Sequence, residues 1–164
     1  SKADFITAFG SIYEHSTWVA ETVWAAGLGP ADASPEHLAG RMAKIVDAAG
    51  QSRQMELLRA HPKLAGKLAV AGRLTTESAA EQTSAGLDQC TAAEFEEFHL
   101  LNHRYHGKFG HPFVIAVRGL DRHAILDVFR KRIDNNAHDE FVAAMAEVHK
   151  IARLRLEQLA QHTL

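Results

Sequence analysis

Phe113-Val114-Ile115-Ala116-Val117 is the run on which the fold class turns, because five consecutive apolar residues read equally well as a buried strand or as chain crossing a core. A strand needs a partner to satisfy its backbone, and nothing else in the chain has strand periodicity. The run is therefore read as an extended loop through the core of an otherwise helical protein. Downstream, Asp121 has the character of an N-cap ahead of Ile125, Phe129 and Ile133 at helical spacing. Asn135 or Asn136 then opens the longest periodic stretch, reaching to about residue 160. Upstream, Thr91 with Glu94 forms a capping box that opens a helix through Phe95, Phe98 and Leu101 toward Tyr105, with Gly107 as the expected stop.

Further back, Ser34-Pro35-Glu36 reads as N-cap, first-turn proline and first-turn acid, followed by Leu38, Met42, Ile45 and Ala49, and Gly50 ends the pattern. Thr75 or Thr76 caps a short helix, and Trp18 to Ala26 and Gln54 to Arg59 read as two more. The expectation is an all-α, single-domain helical bundle over residues 1–164, with roughly seven or eight helices.

Composition agrees with one folded domain. The 164 residues suffice for one sizeable core, and 46% hydrophobic with 23% charged residues is the balance of a globular chain. Eighteen basic residues scattered among twenty acids, for a net charge of -2, leave no basic stripe for nucleic acid or an anionic membrane. No apolar stretch approaches the ~20 residues that span a bilayer, and the first residues lack the basic-then-apolar pattern of a signal peptide. The terminal Gln161-His162-Thr163-Leu164 is not a Ser-Lys-Leu address, so the expected location is the cytoplasm. Cys90 has no second thiol for a disulfide, zinc site or redox pair and reads as a buried bystander.

Three features carry candidate chemistry. His61 stands immediately before Pro62, which pushes it out of helical geometry into a loop, and imidazole is the side chain suited to move protons near neutral pH. Ser78, Glu81 and Gln82 share a helix face at i, i+3 and i+4, which fits a solvated surface or a hydrogen-bonding wall for a polar ligand. Arg155 falls on the apolar stripe of the terminal helix with Phe141, Met145, Val148, Ile151 and Leu159, whereas Arg153 falls off it. A guanidinium so placed must meet an internal acid or an anionic ligand. Two other patterns carry less. His99, His103, His106 and His111 cluster at a helix end without a cysteine or a His-Glu-x-x-His motif, so no metal is expected. Gly107, Gly110 and Gly119 lack the spacing of a phosphate loop.

His61-Pro62-Lys63-Leu64-Ala65-Gly66, then Leu74-Thr75-x-x-Ser78-x-x-Glu81-Gln82-x-x-Ala85-Gly86-Leu87, then Lys108-Phe109-Gly110-His111-Pro112-Phe113-Val114-Ile115, resemble in order and spacing the ureidoimidazoline decarboxylase family. Phe9 to Ser16 and Ile151 to Leu156 look similar too, so the resemblance covers nearly the whole chain. It implies a cofactor-free, often homodimeric all-helical enzyme that turns 2-oxo-4-hydroxy-4-carboxy-5-ureidoimidazoline into (S)-allantoin. It also implies His61 as the catalytic acid/base, and the chemistry of the decarboxylation adds Glu81, to orient His61 or the substrate hydroxyl, and Arg155, to hold an anionic or carbonyl oxygen, as catalytic residues. Pro62, Ser78, Glu81, Gln82, Arg155 and the run Phe113, Val114, Ile115, Ala116 and Val117 would then bind the small-molecule substrate. The alternative is a helical interaction module without catalysis, which would expose a large apolar patch and hold Arg155 in an internal salt bridge.

Overall fold

A computed structural model describes residues 1–66 and 74–162, so the last two residues of the terminal Gln161-His162-Thr163-Leu164 lie outside it. Among the described residues there are eight α-helices and no strand: α1 Lys2–Phe9, α2 Trp18–Ala25, α3 Pro35–Ala48, α4 Gln51–Ala60, α5 Thr76–Ser84, α6 Ala92–Phe109, α7 Arg122–Arg132 and α8 Ala137–Gln161. Short 3-10 turns occur at Pro30–Ala33 and Leu87–Gln89. The all-α class holds, and Phe113–Val117 is irregular chain, buried at every position.

The helix starts follow the expected chemistry. Ser34 accepts from the His37 amide with Pro35 in the first turn, Thr75 from Ser78, Asp121 from Ala124 and Asn136 from Asp139. Thr91 and Glu94 close a reciprocal capping box. Two readings need correction. Gly107 lies inside α6; the helix runs on to Phe109, whose ring packs 4.6 Å from that of Tyr105, and Gly110 at φ 75° ends it. Helix α1 was not anticipated, although Ser1 and Asp4 form a capping box at its start.

The chain divides into two compact units, Ser1–Ala60 with Val148–Leu164, and His61–Glu147. In the first, Val19, Val23, Leu38, Met42, Val46 and Leu58 are buried, together with Val148, Ile151, Ala152 and Leu156 from the second half of α8. In the second, the core gathers Phe98, Leu101, Tyr105, Phe113, Ile115, Val117, Ile125 and Phe129. The Phe113 and Phe129 rings stack at 3.9 Å and 8°, and Tyr105 meets both edge-on. Ion pairs Glu94–Arg122 and Glu97–Arg130, each at 2.6 Å, tie α6 to α7.

Candidate active site

His61 follows α4 and is buried, 8% exposed. The loop after it turns sharply. Ala65 takes φ 48°, a left-handed value unusual for a residue with a Cβ, and a Cβ on Gly66 would meet Lys63 at 3.1 Å. Side chains from two helices hold this turn. Gln82 of α5 accepts the Ala65 amide at 3.1 Å and donates to the Lys63 carbonyl at 3.5 Å, while Asn102 of α6 donates to the Leu64 carbonyl at 2.9 Å. The loop carrying His61 is thus pinned at three consecutive residues.

On α5, Ser78 and Gln82 are buried and Glu81 is half-buried, so the shared face turns inward rather than to solvent. Gln82 also borders a cavity of about 580 Å³ with Ala65, Ala79, Leu87, Cys90 and Phe95. None of the other predicted site residues lines that cavity. Cys90 is half-buried, and burial pushes its thiol pKa up, the opposite of an activated nucleophile.

The run 113–117 has neither turn nor bend, and its odd residues Phe113, Ile115 and Val117 enter the core of the second unit while Val114 and Ala116 do not belong to that cluster. That alternation is the mark of extended chain. Its backbone is tied by charged side chains. Arg132 donates to the Val114 carbonyl at 2.7 Å and lays its guanidinium 4.5 Å above the Phe113 ring, and Glu147 accepts the Ala116 amide at 2.8 Å. Arg132 is itself paired at 2.6 Å with Glu140, which is fully buried and also accepts from Tyr105 and Asn135. Burial and the neighbouring Glu140 carboxylate raise the Tyr105 phenol above its ordinary value, keeping it a donor. By contrast, the N–H and C=O of Ile115 make no hydrogen bond among the described residues although the residue is 6% exposed. Buried backbone groups left so are rare and cost about 1–3 kcal/mol each unless a ligand or water meets them.

In the first unit, Arg155 is 6% exposed and its Nη1 donates to Glu14 at 2.9 Å and to the Ser11 carbonyl at 3.2 Å. The internal acid foreseen as one option is therefore present. Arg153 is exposed and pairs with Glu157 one turn on. Of the two features that would mark an interaction module, the internal salt bridge exists. Among the described residues, the exposed large apolar ones are Leu28, Phe95, Leu100 and Val142, and the two on α6 sit five residues apart, ~140° around the helix.

The second unit can therefore offer a buried imidazole on a fixed loop, a polar helix face and an extended backbone edge, and the first unit, by itself, a buried guanidinium. Sequence reasoning missed Asn102, Glu140, Arg132 and Glu147. Asn102 and Glu140 were findable by the test that singled out Arg155, since each lies on an apolar helical stripe: Asn102 four residues after Phe98, Glu140 four before Ala144. Arg132 and Glu147 carry no such signal. No group of three or more His, Cys, Asp or Glu among the described residues could hold a metal ion.

Residues 1–157 match the family model described as OHCU decarboxylase. The chain is 42% identical over 158 residues to the 2-oxo-4-hydroxy-4-carboxy-5-ureidoimidazoline decarboxylase of Halalkalicoccus jeotgali, covering 96% of this chain and 86% of that protein. It is 37% identical over 150 residues to the uric acid degradation bifunctional protein PucL of Bacillus subtilis, covering 92% of this chain and 29% of that one. Among solved structures, a crystal structure of (S)-allantoin synthase superposes with a TM-score of 0.74 at 31% identity over 97% of this chain, which spans half of that chain.

Proposed function

Because the chain belongs to the OHCU decarboxylase family, we propose that it is a carboxy-lyase of urate degradation that removes carbon dioxide from 2-oxo-4-hydroxy-4-carboxy-5-ureidoimidazoline to give (S)-allantoin, with His61 as its proton-transfer group. The geometric observation that carries the assignment is the buried His61 on a loop whose backbone Gln82 and Asn102 hold in place. The family model's span over residues 1–157 supports reading the chain as a single domain.

The substrate supplies its own electron sink. As the carbon–carboxylate bond breaks, its electron pair forms a double bond to the adjoining C=N carbon and the C=N pair passes to nitrogen, which takes a proton; the enol so formed loses its hydroxyl proton to become the carbonyl as the former C=N carbon is protonated on one face, which sets the S configuration. The protein needs to orient the carboxylate, stabilise the developing charge and deliver one proton stereospecifically. His61 delivers that proton, Glu81 orients His61 or the substrate hydroxyl, and Arg155, itself held by Glu14, faces an anionic oxygen. Pro62 and Ser78 line the substrate, Gln82 fixes the His61 loop beside the ureido arm, and the 113–117 run meets the substrate's amides through its backbone. The unmatched N–H and C=O of Ile115 support that last contact, since a ureide presents a complementary acceptor and donor side by side. On this reading no metal or organic cofactor takes part, and the enzyme is a homodimer, as the resemblance to the family implies, that works in the cytoplasm, which the lack of a membrane-spanning helix among the described residues supports.

The test is to generate the substrate in place, add the protein and follow circular dichroism at allantoin wavelengths. A fast rise of the S enantiomer is expected. Racemic allantoin at the uncatalysed rate overturns the assignment, and sedimentation of a monomer overturns the dimer.

A further inference from the structure

In extended chain the N–H and C=O of one residue point to one edge and those of the next residue to the other. The Val114 carbonyl and the Ala116 amide therefore lie on one edge of the 113–117 run, and there they are bound by Arg132 and Glu147. Ile115, between them, presents its own N–H and C=O on the opposite edge, where nothing among the described residues meets them. The direction in which Ile115 offers its donor and acceptor is thus set by what happens on the far edge.

We propose that Glu147 is a positioning residue for ligand binding: by accepting the Ala116 N–H it fixes the peptide plane that this N–H shares with the Ile115 carbonyl, so that the Ile115 backbone presents a donor and an acceptor to a cis-amide or ureide ligand. Two features single out Glu147 over its neighbours. It sits on α8, an element separate in sequence from the run, so its bond to Ala116 spans 31 residues and restrains the run from outside. The second tie, from Arg132, is anchored by the fully buried Glu140 and stacks on Phe113, so it belongs to the core as much as to the run. Glu147 is half-buried and has no comparable structural duty in the second unit's core cluster. A carboxylate in this place is a strong acceptor for one amide, and its loss frees the peptide plane that the Ala116 N–H shares with the Ile115 carbonyl, while Phe113, Ile115 and Val117 stay seated in the core.

The proposal rests on the reading that the 113–117 run contacts substrate, and the experiment separates the two. Wild type, Glu147→Ala and Glu147→Gln are compared in three measurements: the Ile115 amide resonance on titration with (S)-allantoin, KM and kcat on freshly generated substrate, and thermal unfolding. The wild-type Ile115 amide is expected to shift on titration. Glu147→Ala should weaken (S)-allantoin binding and raise KM by about tenfold, the equivalent of one charge-assisted hydrogen bond, with kcat nearly unchanged and Tm lowered only as far as one buried amide left without its acceptor requires. Glu147→Gln, whose carboxamide oxygen still accepts the Ala116 amide, should recover most of the affinity. A lowered Tm in Glu147→Ala with unaltered KM means a structural role alone and overturns the proposal while leaving the contact reading intact. An Ile115 amide that does not respond to (S)-allantoin in the wild type overturns the contact reading and the proposal with it.

Discussion

Arg155 reaches Glu14 across 141 residues of sequence and binds it at 2.9 Å, with both side chains at most 5% exposed. A charge pair so buried stabilises less by its own attraction than by the damage its rupture does, because the survivor is left charged and dry. Arg155→Ala should therefore lower stability by about 3–5 kcal/mol, and Glu14→Gln in the same chain should restore part of it. Thermal unfolding of the single and double variants is the check; additive losses would mean the two groups are not coupled.

Lysine keeps the charge at position 155 but not the fork. Arg155→Lys should reduce kcat/KM clearly while the fold survives, and Arg153→Lys, at an exposed site, should be nearly silent in both activity and Tm. The reverse pattern at unchanged stability would remove Arg155 from the site.

His61→Asn should fold and lose roughly 10²- to 10⁴-fold in kcat, the usual scale of a proton-transfer contribution. Near-wild-type turnover would exclude His61 from the chemistry.

Tyr105→Phe should lower stability by about 1–2 kcal/mol, because it removes one donor from the Glu140 carboxylate while Arg132 and Asn135 remain. Denaturant midpoints at constant slope are the measurement. An unchanged midpoint would show that the phenol contributes nothing to the network.

Glu94 is held below the ordinary glutamate value, first by the Thr91 amide and then by Arg122. Its folded-state pKa is depressed, so its contribution is present above the unfolded value and is lost as pH falls through the folded one. Tm should fall below about pH 4, and Glu94→Gln should be less stable at neutral pH and less sensitive to acid. Parallel acid profiles for the two proteins would contradict this.

The fold was largely legible because five of the eight described helices carry start signals that can be read in sequence: Ser34, Thr75, Thr91, Asp121 and Asn136 each cap as their neighbours require. The stop at Gly107 was misplaced because two glycines stand three residues apart, and only the packing of Phe109 on Tyr105 decides between them. The site was legible where a motif or a charge on an apolar stripe marked it, as with His61 and Arg155. Arg132 and Glu147 were not, because they act through bonds to a backbone 18 and 31 residues away, and no periodicity reports such a bond. Gln82 lay between these cases: its inward face could be read, its grip on Lys63 and Ala65 could not.

Ala65 sets a limit on how this protein can be improved. An alanine held at φ 48° is strained by about 1–2 kcal/mol relative to a glycine there, but Ala65→Gly also gives up a methyl buried in the second unit's core and adds freedom to the unfolded chain, so relief of the strain brings little net stability. The same change gives the loop four residues after His61 access to conformations that alanine forbids, and the Gln82 and Asn102 bonds must then hold a floppier chain. The strained alanine therefore serves the turn by what it forbids: the methyl that costs energy at this angle is also what narrows the conformations open to the chain that carries His61.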